Sequence, residues 1–283
     1  MRLIILILSV LSLNSLAYFQ YPEERIYTSS DRGISPYNAK SIYHTGTFAL
    51  TFDDGPHPIY TSQYLDLLKK YQTKATFFVL SSKINEQNFH LIKRMLDEGH
   101  IVASHGLDHN NSNDLSQFVW KASVRQSFLD LAKWHKRAGH EMTQFFYRFP
   151  YGAYGSRPEY HHINALKDLS YELLGDNCIN MAFWDVDSND WVPGMTGKEV
   201  ASNIIAEFEG GTYIDFKQSG PTYIKVPMLI TKPRGGGVIL QHDVHSNSLE
   251  GVEIFLQYAK IRGLRIPRLD EVEEFRVTKN CKL

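Results

Sequence analysis

The sequence predicts an α/β fold in which helices cover a mostly parallel sheet that is either open or closed into a barrel. Short apolar runs alternate with amphipathic segments along the chain. Polar clusters follow several of these runs, and folds of this class carry their chemistry on loops that follow strands. The 283 residues are 43% hydrophobic, which supplies a sizeable core, and a net charge of −1 excludes an overall basic attraction to nucleic acid.

Residues 1–17 have the pattern of a signal peptide rather than of a folded element. Arg2 is followed by the apolar run Leu3–Leu13, and Ser15-Leu16-Ala17 has the small residues of a cleavage site. The apolar run is shorter than the roughly 20 residues that span a bilayer. We therefore expect a secreted or periplasmic protein without a stable membrane anchor after cleavage, and a polar N-terminal arm over residues 18–43.

Strands and helices are expected to alternate in the first half of the chain. The strands are short runs of apolar and aromatic residues, and the helices carry apolar residues at helical spacing. Two of these helices stop before Gly99 and Gly139, because glycine is a common helix terminator. In order, the expected elements are the strand Phe48–Phe52, the helix Ile59–Tyr71, the strand Ala75–Leu80, the helix Phe89–Glu98, the strand His100–Ala103 and the helix Ser116–Ala138.

The second half continues the same alternation but contains one irregular segment. Residues 210–237 hold tyrosine, isoleucine, proline and glycine without a clear period, and the segment is too long for an ordinary connection. We therefore expect an insertion or a lid there. The regular elements expected in order are the strand Phe145–Arg148, a helix that opens at Ser156–Glu159, strands around Leu173 and Phe183, the helix Gly197–Phe208, the strand Val238–Gln241 and the helix Leu249–Arg262.

Two polar clusters follow the first and third expected strands. Asp53 and Asp54 precede Gly55, and an aspartate before a glycine commonly does no more than form a turn. Two adjacent acids can also have separate roles, in which one binds a metal and the other acts as a base. His105 and His109 stand four residues apart, a spacing that means little alone. Two imidazoles and one carboxylate nevertheless form a ligand set for zinc or a similar divalent ion.

Three further polar clusters occur later in the chain. Arg148 lies in an apolar stretch shortly before Tyr151, where it can form a buried pair or orient an active-site carboxylate. The acids that precede Trp191, Asp190 among them, suit a solvated turn, a calcium site or the support of a catalytic histidine. His242 ends an apolar strand, where a histidine is commonly a satisfied core residue.

In their order along the chain, the five clusters resemble the five motifs of the polysaccharide deacetylase family, carbohydrate esterase family 4, also known as the NodB-homology domain. The clusters are Asp-Asp-Gly-Pro, His-x-x-x-His, Arg-x-Pro-Tyr, Asp-x-x-Asp-Trp and Leu-x-His. The resemblance extends over about residues 44–275. It implies an irregular (β/α)7 barrel, the deacetylase-type variant of the TIM barrel, as a catalytic domain over residues 44–283 with an insertion at about 210–237.

The resemblance also implies roles for the residues that bind and activate. Asp54, His105 and His109 would bind a divalent metal, usually zinc, with cobalt or nickel as alternatives. Asp53 would act as the general base, and Arg148 would form a salt bridge that keeps it ionised and oriented. The metal would activate a water molecule and polarise the acetamide carbonyl.

The remaining residues implied by the resemblance bind the acetyl group or protonate the leaving amine. The backbone N–H of Tyr151 would stabilise the oxyanion, and Trp191 and Leu240 would line a pocket for the acetyl methyl group. His242 would protonate the amine, and Asp190 would raise the pKa of His242 so that the imidazolium is available. The products would be a free amino sugar and acetate.

Two features of the sequence depart from the family pattern. Gly106 follows His105 where the family has serine or threonine, so a hydroxyl that supports the metal-binding loop is missing. The connection between Trp191 and Leu240 is longer than usual in the family. The segment 210–237 within it either walls the substrate groove or decorates the surface.

The function expected from these residues is N-deacetylation of a polysaccharide by a monomeric enzyme. Peptidoglycan N-acetylglucosamine is the preferred substrate, because a short chain with a signal peptide and no attached binding domain suits a cell-wall modifier. Chitooligosaccharides and O-acetylated xylan are the alternatives. One alternative is a non-haem iron oxygenase, which uses the same ligand set but leaves Asp53, Arg148 and His242 without roles. Another is an inactive sugar-binding module, which would not need the reactive residues of all five motifs.

The chain contains two cysteines, Cys178 and Cys281. In a secreted protein they permit one disulfide, which would tie the C-terminal tail to the body. Otherwise they are two unpaired thiols, and the sequence leaves both possibilities open.

Overall fold

A computed structural model of the chain describes residues 39–155, 162–276 and 281–283. The expected signal peptide, residues 18–38 of the N-terminal arm and the helix start at Ser156–Glu159 lie outside the described residues. The described part consists of a parallel sheet, the helices that pack against it and a separate β-hairpin.

Most of the described strands belong to one parallel sheet. The strands are β1 (Thr47–Asp53), β2 (Thr76–Val79), β3 (Ile101–Ser104), β4 (Phe145–Tyr147), β5 (Ile179–Met181), β6 (Val186–Asp187), β7 (Gly211–Ser219), β8 (Thr222–Ile230) and β9 (Gly236–His242). Seven of them pair in the order β5-β4-β3-β2-β1-β9-β6, and β7 and β8 form the antiparallel hairpin. The α-helices are α1 (Tyr60–Lys70), α2 (Phe89–Asp97), α3 (Gln117–Ala138), α4 (His162–Leu174), α5 (Gly197–Glu209) and α6 (Ser246–Arg262).

The connection between β5 and β6 shows that the sheet is curled rather than flat. These strands are the outer members of the strand order, and a flat sheet of seven strands would place them roughly 29 Å apart. Only residues 182–185 join Met181 to Val186, and that length of chain reaches about 17 Å at most. This confirms the expected irregular (β/α)7 barrel as a curled, incompletely closed sheet.

Strand β1 lies between β2 and β9 in the sheet, with one face towards the helices and the other towards the interior of the curl. All of its residues are buried, as is usual for a parallel strand covered on both faces. Phe52 contacts Tyr64 of α1 with ring centroids 5.0 Å apart, so its face lies against the helices. Thr51 and Asp53 alternate with Phe52 and point to the opposite face, inside the curl.

Most regular elements lie where the sequence predicts them, and two differ. The long helix expected from Ser116 is α3, in which Ser116 Oγ accepts from the N–H of Val119 and Gly139 ends the helix with a φ of 87°. The prediction of a strand around Leu173 is wrong, because Leu173 lies in the last turn of α4. Phe183 lies between β5 and β6 rather than within a strand.

The irregular segment over residues 210–237 contains the hairpin. Strands β7 and β8 pair from Gly211 opposite Ile230 to Ser219 opposite Thr222. Most of their residues are at least partly exposed, so neither strand has the strict alternation of buried and exposed positions that identifies a strand in a sequence. Gly236 and the residue after it, at the end of the segment, begin β9.

A disulfide joins Cys178 to Cys281 across a sequence separation of 103 residues. It ties the C-terminal residues 281–283 to the start of β5 and decides between the two possibilities that the sequence leaves open. Among the described helices, none combines the length and the apolar character needed to cross a bilayer.

Candidate active site

The polar clusters expected from the sequence meet at one edge of the sheet. Asp53 and His242 are the last residues of β1 and β9, and the register places them opposite one another. His105 and Arg148 directly follow the last residues of β3 and β4. Because parallel strands end at the same edge, these side chains converge there.

Asp54, His105 and His109 converge on one point. One side-chain atom of each lies within 4.8 Å of the others. The Nε2 atoms of His105 and His109 lie 3.5 Å and 3.2 Å from Asp54 Oδ1. The Nδ1 atom of His105 lies 2.9 Å from the carbonyl oxygen of Arg148, an arrangement that orients the ring and leaves Nε2 to bind a cation.

The chemistry of these three residues fits a divalent cation. Asp54 Oδ1 is buried and forms no hydrogen bond within the described part of the chain. Burial lowers the pKa of His105 to about 3, so the imidazole is neutral and presents a lone pair. A carboxylate oxygen that faces imidazole lone pairs is unfavourable by itself, and a bound cation would satisfy all of these atoms.

The loop between the two histidines is supported without the hydroxyl that the family carries after its first histidine. Gly106 has a φ of 95°, a left-handed conformation that serine and threonine rarely adopt. Its N–H donates to Ser104 Oγ at 3.1 Å, and Ser104 Oγ lies 2.7 Å from Ser127 Oγ. A hydroxyl from the end of β3 therefore supports the loop at Gly106.

Asp53 is paired with Arg148 inside the curled sheet. Arg148 Nη1 donates to Asp53 Oδ1 at 2.8 Å, and both side chains are buried. Burial raises the pKa of Asp53, and the positive charge of Arg148 opposes that rise. The second oxygen, Oδ2, lies 3.7 Å from His105 Nε2, so a proton-accepting atom stands beside the cation-binding residues.

The guanidinium of Arg148 is fixed on every side. Its Nη1 also donates to Thr51 Oγ1 at 2.7 Å, its Nε donates to the carbonyl oxygen of Ala182 at 2.9 Å, and its Nη2 donates to that of Phe183 at 3.0 Å. Its Cζ lies 4.1 Å from the ring centroid of Phe78. Residues 182–183 belong to the connection between β5 and β6, so Arg148 also links that connection to β1.

His242 and Asp190 form a second buried pair at the same edge. His242 Nδ1 lies 2.8 Å from Asp190 Oδ1, and the backbone N–H of His242 donates to Asp190 Oδ2 at 2.7 Å. Burial disfavours the imidazolium, but the Asp190 carboxylate raises the pKa of His242 to about 10. Nδ1 is engaged by Asp190, which leaves Nε2 as the nitrogen that can deliver a proton to a ligand.

The other three residues expected in the site surround these pairs. Tyr151 is left-handed, with a φ of 58°, and its ring centroid lies 4.3 Å from that of His109. Its backbone N–H donates to no other group in the described residues, so it can donate a hydrogen bond to a ligand. Trp191 is partly exposed and packs on Phe216 of the hairpin, and Leu240 is buried in β9 two residues before His242.

Asp243 is a buried carboxyl beside the site that the sequence patterns do not identify. Its Oδ2 accepts a hydrogen bond from the Thr61 hydroxyl. A Cβ atom placed on Gly55 would lie 2.4 Å from Asp243 Oδ1, so the carboxyl packs directly on the loop that follows Asp54. Its position immediately after His242 is the signal that the sequence offers for it.

Comparison with known proteins shows that the chain is similar to polysaccharide deacetylases. The family described as polysaccharide deacetylase matches residues 41–174. The peptidoglycan-N-acetylglucosamine deacetylase PgdA of Listeria monocytogenes is 30% identical over 227 residues, which cover 79% of this chain and 38% of that protein. The peptidoglycan-N-acetylmuramic acid deacetylase PdaC of Bacillus subtilis is 29% identical over 236 residues, which cover 83% of this chain and 40% of that protein. The chain thus spans about two fifths of the length of these curated relatives.

Solved structures share the fold. The peptidoglycan deacetylase PdaC of Bacillus subtilis superposes with a TM-score of 0.57 and 26% identity, over 81% of this chain and 91% of that one. A family 4 acetyl xylan esterase of Clostridium thermocellum, solved with a cobalt ion, also superposes with a TM-score of 0.57 and 26% identity, over 80% of this chain and 89% of that one.

Proposed function

The chain belongs to the polysaccharide deacetylase family, and on that premise we propose that it is a metal-dependent hydrolase that removes N-acetyl groups from an amino-sugar polymer and releases acetate. The observation that carries this proposal is the convergence of Asp54, His105 and His109 beside Asp53, a second acid that Arg148 holds. We propose zinc as the ion, with cobalt and nickel as alternatives, because two imidazoles and one carboxylate form a zinc-type ligand set.

Asp53 is the general base in this proposal. When bound, the ion would supply Lewis-acid polarisation of the acetamide carbonyl and a lowered pKa of water. Asp53 Oδ1 is occupied by Arg148, which leaves Oδ2 to accept the proton of the attacking water. The N–H of Tyr151 donates to the oxyanion that develops on the acetamide carbonyl oxygen when water attacks the carbonyl carbon.

His242 completes the reaction as the acid. Its Nδ1 is held by Asp190, so Nε2 delivers the proton to the nitrogen of the leaving amino sugar. Trp191 and Leu240 line the pocket for the acetyl methyl group in this proposal. A non-haem iron oxygenase would leave the Asp53–Arg148 and His242–Asp190 pairs without roles.

We propose peptidoglycan N-acetylglucosamine as the substrate. The similarity to the Listeria monocytogenes peptidoglycan-N-acetylglucosamine deacetylase supports this choice of sugar. The similarity to the Bacillus subtilis peptidoglycan-N-acetylmuramic acid deacetylase supports peptidoglycan as the polymer. The Cys178–Cys281 disulfide supports a secreted or periplasmic location, where the expected signal peptide would send the chain. The acetyl xylan esterase neighbour favours an O-acetyl ester as the second candidate substrate.

Product analysis tests this proposal. Purified protein loaded with zinc is incubated with peptidoglycan sacculi, chitooligosaccharides and acetylated xylan, and released acetate and the mass of each product are measured. We expect one acetyl mass to be lost per modified N-acetylglucosamine of the sacculi, no loss after chelation, and recovery when zinc is restored. Wild-type protein that stays inactive on all three substrates with zinc, or that requires Fe(II) and a co-substrate, would contradict the proposal.

A further inference from the structure

We propose that the hairpin β7–β8 is a positioning element for the loop of residues 187–191, which carries Asp190 and Trp191. The inference rests on the proposed deacetylase function, because it concerns the residues assigned to proton delivery and acetyl binding. It differs from both roles considered for this segment, a wall of the substrate groove and a surface decoration. Three sets of contacts join the hairpin to the loop.

Asn189 and Tyr213 form the first set. Asn189 Nδ2 donates to the carbonyl oxygen of Ile214 at 2.9 Å and to the Tyr213 hydroxyl at 3.1 Å. The Tyr213 hydroxyl donates in turn to the carbonyl oxygen of Asp187 at 3.0 Å. The first strand of the hairpin is therefore bonded to the loop immediately before Asp190.

Asn203 of α5 forms the second set. Its side chain is fully buried. Its Oδ1 accepts from the N–H of Ile214 at 2.6 Å, and its Nδ2 donates to the carbonyl oxygens of Ile214 at 3.0 Å and Ser188 at 3.1 Å. One buried amide thus joins helix, hairpin and loop, and its polar atoms would lose these partners if the hairpin moved away.

Aromatic packing forms the third set. Trp191 meets Phe216 of β7 edge to face, with ring centroids 4.7 Å apart, and Tyr223 of β8 at 5.9 Å. These rings lie over the small apolar cluster of Val192, Met195 and Val200. The hairpin therefore also fixes the side chain that is proposed to line the acetyl pocket.

The consequence for the reaction follows from the position of Asp190. It directly follows Asn189 and accepts two hydrogen bonds from His242, one from the ring and one from the backbone N–H. Asn189 has a φ of 56°, a left-handed conformation that asparagine adopts more readily than most other residues, and its side chain is bonded to the hairpin. Loosening the hairpin contacts would free the loop on both sides of Ser188 and weaken the hold of Asp190 on the His242 ring.

Two substitutions test the inference. Tyr213→Phe removes the hydroxyl that bridges Asp187 and Asn189 while keeping the ring. Asn189→Gly removes the side-chain amide, while glycine can still adopt the left-handed backbone conformation. This second variant tests the inference if Tyr213→Phe does not fold. Gln218→Ala is the control, because the Gln218 side chain is exposed near the hairpin turn and its hydrogen bond within the described residues goes to Gly220, not to the loop of residues 187–191.

We expect each test variant to lower kcat about tenfold on both a chitooligosaccharide and sacculi, with KM and zinc affinity unchanged. The alkaline limb of the pH profile and the pKa of His242, followed by NMR of the imidazole, should both move to lower pH, whereas a merely structural role would lower Tm alone. A loss confined to sacculi through KM would make the hairpin a groove wall and overturn the inference. So would test variants that match Gln218→Ala in kcat and in the pKa of His242. Inactive wild-type protein would count against the proposed function, and the His242 titration would still decide the role of the hairpin.

Discussion

Arg148 reaches across the interior of the curled sheet to Asp53, 95 residues earlier in the chain, and donates to its Oδ1 at 2.8 Å. The same guanidinium binds the carbonyl oxygens of Ala182 and Phe183 in the connection between β5 and β6. One buried cation therefore holds the proposed base and also links distant parts of the sheet. The site and the stability of the fold depend on the same side chain.

Replacing Arg148 by methionine should destabilise the protein strongly. Asp53 would remain buried without its partner, and two carbonyl oxygens would lose their donors, so we expect a loss of about 3–5 kcal/mol in the free energy of unfolding. Urea denaturation of the metal-free protein measures it. The double variant Arg148→Met/Asp53→Asn should recover part of the loss, because the uncompensated charge is gone.

The exposed pair Arg137–Glu86 supplies the control for that experiment. Arg137→Met should change the free energy of unfolding little, since both side chains of the pair are exposed and an exposed ion pair contributes about 0–1 kcal/mol. Equal losses for Arg137→Met and Arg148→Met would show that the buried pair has no special role in stability.

Asp190→Asn should shift the alkaline limb of the pH profile towards lower pH. Burial lowers the pKa of His242, and in the wild-type protein the Asp190 carboxylate overcomes this effect and raises that pKa to about 10. Without the carboxylate, the imidazolium loses its proton at lower pH, so the acid form of His242 disappears earlier as the pH rises. The pH dependence of kcat/KM measures the shift, and an unchanged limb would remove His242 from the role of acid.

Replacing both Cys178 and Cys281 by serine should lower stability and leave the site intact. The disulfide closes a loop across 103 residues, and loss of such a cross-link typically costs about 2–5 kcal/mol. Cys178 precedes β5, at the strand end opposite the site, so kcat should stay near the wild-type value. Thermal unfolding and acetate release measure the two effects, and a fall in kcat with unchanged Tm would contradict this separation.

The parts of the fold that could be predicted have strong local signals. The helix α3 has a capping serine at Ser116 and a terminating glycine at Gly139, and β1 is a buried apolar run. The strand expected around Leu173 was wrong because a short apolar stretch does not distinguish a strand from the end of a helix. The hairpin was missed because packing of β7 on Trp191 and α5, rather than an alternating pattern, stabilises it.

The site could be predicted where its residues stand together in the chain. Asp54, His105 and His109 belong to short motifs, and the structure brings the three together. The contacts of Asn203 with Ile214 and of Tyr213 with Asp187 carry no such signal, because Asn203, Tyr213 and Ile214 lie outside the five motifs. Thr51 could be predicted only in part. It lies two residues before Asp53, which places both side chains on one face of β1, and the structure shows that Arg148 binds both.

Asp53→Asn and His109→Ala should separate the base from the ligand set. Asp53→Asn should bind zinc as the wild-type protein does and lose at least about 100-fold in kcat, because the proton acceptor is gone. His109→Ala should lose both zinc and activity, and His90→Ala, at an exposed histidine, should lose neither. Titration calorimetry with zinc and acetate release measure these effects. Loss of zinc from Asp53→Asn would contradict the assignment of base and ligands.

Anomalous diffraction at the zinc edge, from crystals of the zinc-loaded wild-type protein, is the most direct test of the proposed cation site. We expect one strong peak bonded to Asp54, His105 and His109, with Asp53 beside it and still paired with Arg148. A peak bonded to other residues, or no peak among these three in crystals that contain zinc, would contradict the proposed site.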